Sequence, residues 1–312
     1  MAKNTFALRA MLPEDRKAVA GLICLSTSVW YQSHLGVPRF LNGPQSTELY
    51  YDVYHSLPGS SGVVAIDDYS GQVVGSCFQH IRPTHVSLGI MNVHPSYAGR
   101  GIASALLNNI VQTAEGLGKP VRLVSSALNL DSFSLYNRQG FQPYSLYQDL
   151  RFAVPSDGYP LDCPAAQRVR AATIADLSAI GELESAISGL ERLGDWRHFL
   201  ENPEGIWQVS VCESAAGGGL SAVMVSVFHA ATNMIGPGTA RDCESAKAVL
   251  VAELNHHCGR TPLALLPIAY PEVVAFAYAL GGKNTEIHLA QARGTVPPLR
   301  GLTFPTFMPE SF

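Results

Sequence analysis

The sequence has few charged residues and no concentrated block of positive charge. Only 15% of its 312 residues are charged, 47% are hydrophobic, and the formal net charge is −4. A disordered chain needs low hydrophobicity and high net charge, so this composition excludes one. Nucleic acids and anionic membranes are recognised by concentrated positive surfaces, and we therefore expect neither as a partner.

The six cysteines lack the spacing of a metal site or of a disulfide framework. None forms a Cys-x-x-Cys pair, and none stands at zinc-site spacing from a histidine. We therefore expect no metal ion and no disulfide scaffold, which is typical of a protein from a reducing compartment.

Long uninterrupted hydrophobic runs are also missing. The most apolar stretch, residues 263–282, contains two prolines and Glu272, which a membrane helix of about 20 apolar residues does not accommodate. Glu14 and Asp15 come too early for the hydrophobic region of a secretory signal. The sequence therefore predicts a cytoplasmic protein.

Two proline-rich segments divide the chain. At roughly 150 residues per domain, its length favours two domains. Three prolines among polar residues predict a linker at 154–167. We predict a first domain at 1–153, a second at 168–293 and a C-terminal arm at 294–312. We expect the apolar side chains of the arm to pack on the body or to contact a second subunit of a homodimer; they are Phe304, Phe307 and Met308.

The two predicted domains resemble each other. Arg9 precedes Asp15 by six residues, as Arg170 precedes Asp176, and an apolar-periodic run follows each aspartate. This pattern predicts a short strand, an aspartate N-cap and an amphipathic helix in each copy. Further matches at an offset of 142 pair Pro120 with Pro262, Tyr136 with Tyr278 and Gly140 with Gly282. Arg9 and Arg170 are 161 positions apart, which is 19 more than the offset of the later matches. The first copy therefore has 19 additional residues, which we place within 26–60.

The segment 73–149 contains the strongest functional pattern. Two β-branched, apolar runs precede residues 94–101 (HPSYAGRG), and an amphipathic helical pattern follows them. A glycine-rich turn between strand and helix directs backbone N–H groups and the positive helix end to one point, where phosphate oxygens bind. Gly99 and Gly101 allow close approach of an anion, and Arg100 adds a positive charge. Taken alone, these glycines also fit an ordinary strand-to-helix turn.

The surrounding sequence resembles a known family. Residues 93–107 (VHPSYAGRGIASALL) are followed by a strand and then by an Asn-x-x-Ser-x-x-Leu-Tyr-x-x-x-Gly-Phe pattern. That pattern consists of Asn129, Ser132, Leu135, Tyr136, Gly140 and Phe141. Residues 6–152 are thereby similar to the GNAT superfamily of acyl-CoA-dependent N-acyltransferases. Ala98 departs from the Gln or Arg usual in the family, which removes one side-chain contact and leaves the amide cradle intact.

The resemblance implies a fold and a coenzyme site. We expect an α/β (α+β) protein of two GNAT-like domains, each a mixed, mostly antiparallel sheet flanked by helices, with the second domain degenerate. The implied coenzyme contacts are Met91, Val93, Ala98, Gly99, Arg100, Gly101, Ile102, Ala103 and Asn129. Amides from Gly99 to Ala103 hold the pyrophosphate, and the Val93 amide polarises the thioester carbonyl. Backbone groups of Met91 and Val93 pair with the pantetheine, and Asn129 contacts the pantetheine arm.

The resemblance also implies catalytic chemistry. Tyr136 protonates the departing thiolate; a half-buried helix tyrosine is the alternative. No general base is identified. If side chains alternate along the strand, His85 shares a face with Met91 and Val93, which makes it the nearest titratable candidate. The alternatives are that His85 is a surface residue and that the amine loses its proton through water.

The extra residues at 26–60 coincide with the acceptor loop of the family. This stretch contains Trp30, Tyr31, His34, Phe40, Glu48, Tyr50, Tyr51, Asp52 and Tyr54. Aromatic rings with a few acids suit an amine on an apolar or ring-bearing body. Trp30, Tyr31 and His85 are therefore candidate substrate contacts, although Tyr50 and Tyr54 also fit a packing role.

We expect no working coenzyme site in the second copy. Its equivalent loop at 240–245 (ARDCES) has no glycine, and its two acids would repel a pyrophosphate. In an alternative alignment, residues 236–240 (GPGTA) would correspond to the phosphate loop of the first copy. This segment contains a proline, which removes an amide donor. We expect Tyr278 to be a packing residue, and His256 with His257 to be a pair favoured by the helix dipole.

The combined prediction is transfer of an acetyl or short acyl group from acetyl-CoA to a small-molecule amine, by direct attack in a ternary complex. We expect the second half to cover an apolar face of the first and to wall one side of the acceptor cleft. Two alternatives remain open: an acyl-CoA-binding sensor without turnover, and an acetyltransferase acting on a protein or peptide amine.

Overall fold

The computed structural model describes residues 5–306, which form two compact units. One unit extends to Val121 and the other begins at Arg122. The first contains β1 (Phe6–Ala10), α1 (Arg16–Leu35), α2 (Glu48–Ser56), β2 (Ser60–Asp67), β3 (Val73–Ile81), β4 (Val86–Val93) and α3 (Ile102–Gly116). Its four strands pair in sequence order, all antiparallel.

Helices cover both faces of this four-stranded sheet. On one face, Tyr54 of α2 packs its ring 4.7 Å from that of Phe78 on β3. On the other, Gly75 of β3 leaves room for Ile102 and Leu106 of α3. Because both faces are covered, β3 is buried over nearly its whole length, as expected for a central strand.

The second unit contains the remaining elements. They are β5 (Val121–Ser126), α4 (Leu130–Arg138), β6 (Gln142–Arg151), β7 (Val169–Ala171), α5 (Leu177–Ser188), α6 (Leu193–Glu201), β8 (Trp207–Glu213), β9 (Leu220–His229), β10 (Thr232–Ala240), α7 (Cys243–Asn255), β11 (Leu263–Pro267), α8 (Pro271–Ala279), β12 (Lys283–Arg293) and β13 (Leu302–Phe304). The strand order is β5-β12-β6-β11-β10-β9-β8-β7, and β13 pairs with β10. β10 and β11 are parallel.

The order of elements confirms the repeat. The series from β1 to β6 recurs from β7 to β12 with equivalent helices between the strands. The last strands of the two copies are exchanged, because β6 pairs with β11 and β12, whereas β12 lies beside β5. The boundary between the compact units, after Val121, therefore differs from the boundary between the two copies, which lies between β6 and β7.

The paired arginine and aspartate near the start of each copy form the same structure twice. Arg9 donates two hydrogen bonds to Asp15, at 2.6 and 2.8 Å, and Arg170 does the same to Asp176, at 2.9 and 2.7 Å. Each carboxylate also accepts the backbone N–H three residues before it. Asp15 and Asp176 stand at the predicted N-cap positions of the following helices, but neither carboxylate accepts a capping hydrogen bond there. Both instead close the preceding turn.

The extra residues of the first copy lie in two places. The equivalent strand ends Val93 and Ala240 are 147 positions apart, whereas Arg9 and Arg170 are 161 apart. Fourteen of the additional residues therefore lie before Val93, as predicted. The other additional residues lengthen the connection from β4 to α3. Assigning all 19 residues to 26–60 was therefore wrong.

The proline-rich segments pack on the second unit. Val154 and Ala165, at the ends of the predicted linker, belong to the buried core formed by α7, α8 and the sheet. Phe304 of the arm is buried in β13, whereas Phe307 and Met308 lie outside the described residues. All six cysteines are free thiols. Among residues 5–306, no helix combines the length and apolar character needed to cross a bilayer.

Candidate functional site

Residues His94 to Gly101 connect β4 to α3 and form the predicted phosphate loop. The ring of His94 accepts the N–H of Ser96 at 3.2 Å, and the Ala98 amide donates to the Pro95 carbonyl at 3.2 Å. These bonds fix a single 3₁₀ turn directly before the two glycines.

Gly99 and Gly101 both adopt left-handed backbone conformations, with φ of 75° and 85°. A Cβ atom built on either glycine meets no other atom within 4 Å. The glycines are therefore required for the dihedral angles of the loop, and they leave its outer surface open to a ligand.

Several amides of this loop have no acceptor within the described residues. The first helical bond of α3 runs from Ala105 N–H to the Gly101 carbonyl, so the amides of Ile102, Ala103 and Ser104 have no intrahelical partner. No protein acceptor is found for the Gly99 and Gly101 amides among residues 5–306. Open donors at a helix N-terminus form a receptor for an anionic group.

Arg100 adds positive charge beside these amides. Its guanidinium lies 4.5 Å from the centre of the Tyr97 ring and donates to the Ser96 carbonyl at 3.3 Å. In the part of the chain that the structure describes, no carboxylate pairs with Arg100. Its charge is therefore available to a ligand.

A β-bulge in β4 changes which side chains share a face. Met91 pairs with Cys77, and Leu88 pairs with Gln79, so β4 has one residue more than β3 over this span. Met91 and Val93 therefore lie on the face of Leu88.

The bulge corrects the prediction for His85, which lies on the opposite face from Met91 and Val93. His85 is also only 1% exposed, and its ring nitrogens lie 3.0 Å from the hydroxyls of Thr84 and Ser87. It is thus neither a surface residue nor a base on the predicted face.

Asn129 and Tyr136 belong to the second unit. Asn129 caps α4, because its side-chain oxygen accepts the Ser132 amide at 3.0 Å; its NH₂ group remains a donor. Tyr136 is 6% exposed and packs its ring 5.7 Å from that of Phe141. The cap and this packing hold both family-pattern side chains in fixed positions.

A buried group of ionisable side chains lies next to Asn129 and was missed in the sequence. The hydroxyl of Ser126 donates to Glu286 and accepts the Leu128 amide, while the Asn129 amide donates to the Ser126 carbonyl. His288 hydrogen-bonds Asp149 at 2.7 Å. One polar atom from each of Asp149, Glu286 and His288 lies within 4.8 Å of the others.

The same three side chains could together hold a metal ion. Sequence patterns could not reveal them as a group, because Asp149 and Glu286 meet only through the pairing of β6 with β12. The sole local signal was an acid and a histidine two residues apart on one strand.

The aromatic stretch of the first copy divides into a buried and an accessible part. Tyr50, Tyr51 and Tyr54 are at most 6% exposed. Tyr51 and Tyr54 pack against Phe78, and Tyr50 packs against Tyr54. The accessible part is at the end of α1. There, the rings of Trp30 and His34 stack at 4.3 Å, and Tyr31 lies 5.1 Å from Trp30.

The acids of this stretch are already paired. Arg16 forms ion pairs with both Glu48 and Asp52, and these bonds raise the pKa of the arginine. Recognition of an amine by these two carboxylates is therefore disfavoured, because both already bind the Arg16 guanidinium.

The second copy lacks an equivalent phosphate loop. Only Arg241 and Asp242 connect β10 to α7, and the Asp242 carboxylate accepts the Ser245 amide at 2.8 Å. The start of α7 is thus capped by an anion of the chain itself. The alternative alignment of the loop with residues 236–240 is wrong, since these residues lie within β10.

The edge of β10 that corresponds to the predicted pantetheine-binding edge of β4 is covered. Gly238 and Ala240, the counterparts of Met91 and Val93, pair with Phe304 and Leu302 of β13. A strand of the C-terminal arm therefore occupies the position that the family resemblance gives to pantetheine in the first copy.

Two predictions for the second copy were wrong. Tyr278 is 45% exposed and donates to Gln148 at 3.0 Å, so it is not a buried packing residue. His257 is 1% exposed, and burial lowers its pKa to about 4. It is therefore uncharged at neutral pH and gains nothing from a helix dipole.

Comparison with known proteins agrees with this architecture. Residues 30–141 match the model of the Acetyltransferase (GNAT) family. A putative acetyltransferase from Pyrococcus horikoshii has a TM-score of 0.73 at 13% identity, covering 97% of this chain and 96% of its own. A GCN5-related N-acetyltransferase from Sphaerobacter thermophilus has a TM-score of 0.62 at 16% identity, covering 96% and 98%.

A tandem GNAT protein from the clavulanic acid biosynthesis pathway has a TM-score of 0.62 at 14% identity, covering 93% of this chain and 99% of its own. At these identities the likeness extends to the fold alone. No curated protein matches the sequence.

Proposed function

We propose that the chain transfers an acetyl or short acyl group from acetyl-CoA to the amine of a small molecule. Support comes from the match of residues 30–141 to the GNAT acetyltransferase family model and from the GNAT-like fold of the two halves. The observation that carries this proposal is the loop from Gly99 to Ser104. Its open amides, left-handed glycines and uncompensated arginine suit a pyrophosphate.

The family resemblance implies roles in this reaction for the Val93 amide, the Asn129 side chain and the Tyr136 phenol. In the proposed reaction the amine nitrogen attacks the carbonyl carbon, and a C–N bond forms as the C–S bond breaks. The Val93 amide stabilises the charge that develops on the carbonyl oxygen. Tyr136 gives its proton to the departing sulfur.

The amine proton needs an acceptor, and we assign this task to Glu286 supported by His288 and Asp149. Glu286 is linked through Ser126 to the turn that bears Asn129. A carboxylate is a chemically suitable acceptor for the proton that the attacking amine loses.

We assign the acceptor side to the accessible aromatic group of Trp30 and Tyr31, which suits an apolar or ring-bearing amine. The second copy then has a structural task, since its loop is short and β13 covers its β10 edge.

A screen of small-molecule amines for release of the CoA thiol from acetyl-CoA tests the function. Release that depends on the amine and yields the acetylated amine is the expected result. Tight acetyl-CoA binding without turnover across aromatic, aliphatic and peptide amines would instead indicate an acyl-CoA-binding sensor.

A further inference from the structure

Two buried polar side chains of the first unit lie side by side beneath α1. Ser76 on β3 pairs directly with Asn92 on β4, so both side chains lie on the same face of the sheet. Ser76 is 0% exposed and Asn92 is 8% exposed. Within residues 5–306, the Ser76 hydroxyl and the side-chain oxygen of Asn92 have no hydrogen-bond partner. Buried polar atoms are nearly always hydrogen-bonded, so this pair indicates that a group from outside the chain binds here.

The orientation of the Asn92 amide is fixed by α1. Its NH₂ group donates to the hydroxyl oxygens of Ser26, at 2.7 Å, and Thr27, at 3.2 Å. The Ser26 hydroxyl donates its own proton to the Leu22 carbonyl at 2.8 Å, so its oxygen acts as an acceptor toward Asn92. The side-chain oxygen of Asn92 is therefore the atom left over, and it is a hydrogen-bond acceptor.

This oxygen lies beside the position implied for the thioester. The His94 amide donates to the Val74 carbonyl of β3 at 2.9 Å. Because amides alternate in direction along a strand, the Val93 amide points away from β3, as its implied role requires. Asn92 precedes Val93, and consecutive Cα atoms are about 3.8 Å apart. A group bound to the Asn92 side chain is therefore close to the carbonyl assigned to the Val93 amide.

The same side of α1 leads from Asn92 to the accessible aromatic group. Ser26 and Thr27 are half-buried, and Trp30 and Tyr31 follow them by one helical turn. A ring-bearing amine that packs on these two aromatic side chains can direct its nitrogen toward Asn92. An N–H bond of that nitrogen supplies the donor that the Asn92 oxygen needs.

From this arrangement we propose that Asn92 and Ser76 anchor the nitrogen of the acceptor, which is a ring-bearing primary or secondary amine. The inference rests on the proposed function for the identity of the ligand. It adds that the nitrogen is recognised through its N–H bond and not by Glu48 and Asp52, which already bind Arg16. Asn92 determines specificity and takes no proton from the amine.

Calorimetric titration of the full chain with phenethylamine and with its quaternary trimethylammonium derivative tests the anchor. Both probes carry the same ring and a positive charge, but only phenethylamine has N–H donors. Wild type and the control Asn108→Leu, at an exposed asparagine of α3, are expected to bind phenethylamine at least tenfold more tightly than the quaternary probe. Asn92→Leu is expected to bind the two probes equally and to keep the wild-type affinity for the quaternary probe.

Ser76→Ala leaves the bonds from Asn92 to α1 intact and decides the question if Asn92→Leu does not fold. It is expected to lower the preference for phenethylamine at least threefold. A parallel loss of affinity for both probes in Asn92→Leu would show a structural role only and would overturn the anchor. An unchanged preference in Asn92→Leu or Ser76→Ala would overturn it too, as would a wild type that prefers neither probe or binds neither.

Turnover of phenethylamine with acetyl-CoA, measured separately, distinguishes failure of the anchor from failure of the proposed function. Binding that depends on Asn92 without acetylation contradicts the proposed function and supports the anchor. Acetylation with the same KM for phenethylamine in wild type and Asn92→Leu contradicts the anchor alone.

Discussion

Tyr136 and Tyr278 occupy corresponding positions of the two copies, 142 residues apart in the sequence, but their surroundings differ. Tyr136 is 6% exposed on α4, whereas Tyr278 is 45% exposed on α8. The difference makes Tyr278 an internal control for the chemistry proposed for Tyr136.

Tyr136→Phe is expected to lower kcat by about 10²- to 10⁴-fold, the range for loss of one general acid. Affinity for acetyl-CoA should stay within twofold of wild type, because the phenol acts on the leaving group. Tyr278→Phe should keep full activity. Steady-state kinetics measures kcat, and titration calorimetry measures the affinity for acetyl-CoA. Full activity in Tyr136→Phe would contradict the general-acid role.

Glu286→Gln tests the proposed base while preserving the shape of the side chain. It is expected to lower kcat by about 10²-fold or more and to leave acetyl-CoA affinity unchanged. Glu201→Gln, at a side chain that is 55% exposed, serves as the matched control. Equal turnover in Glu286→Gln and wild type across the pH range would show that another group takes the proton.

At the scale of elements, the two ends of α3 provide a second internal control. Gly101 precedes the helix and Gly118 follows it, with φ of 85° and 65°, and a Cβ atom on either meets nothing within 4 Å. Substitution therefore introduces similar backbone strain at both positions, although only Gly101 adjoins the open amides.

Gly101→Glu is expected to weaken acetyl-CoA binding at least 30-fold, about 2 kcal/mol, because a carboxylate enters the phosphate site and charged hydrogen bonds are lost. Gly118→Glu should bind like wild type. Titration calorimetry of both variants makes the comparison, and an equal loss in the two would mean that strain and not site chemistry governs the effect.

The loop was predictable from the sequence, whereas the geometry around it was not. Glycine spacing and the apolar period of α3 are local signals, and both were read correctly. The bulge that turns His85 away from Met91 depends on pairing between β3 and β4, so strand alternation alone gave the wrong face. The covering of β10 by β13 likewise joins distant segments.

At the scale of the molecule, the repeat explains most of the architecture. Residues that match between the two halves of the sequence predicted two copies, and the order of helices and strands confirms them. The exchange of β6 and β12 could not be predicted, because their hydrophobic patterns fit either partner strand. The buried group of Asp149, Glu286 and His288 exists only through that exchange, so the sequence offered no base.

The second unit also contains a buried acid that influences stability. Glu253 is 0% exposed on α7 and accepts the Ser226 hydroxyl at 2.5 Å. Burial raises its pKa from 4.5 to about 7. The folded state thus binds more protons than the unfolded state between these values, and stability is lost as the pH rises from about 4.5 to 7.

Glu253→Gln is therefore expected to gain roughly 3 kcal/mol in unfolding free energy relative to wild type between pH 4.5 and 7. His257, whose pKa is lowered to about 4, acts in the opposite direction in both proteins and cancels from the difference. Denaturant unfolding of both proteins at several pH values measures this difference in unfolding free energy. A difference independent of pH would show that Glu253 does not titrate in this range.

We expect one working coenzyme site, in the first copy. Calorimetric titration of the full chain with acetyl-CoA tests it most directly. Binding of one equivalent per chain is predicted. In the first copy the amides of Gly99, Gly101 and Ile102 to Ser104 have no acceptor among residues 5–306, whereas Asp242 and β13 occupy the corresponding positions of the second copy. Two equivalents, or no binding, would contradict it.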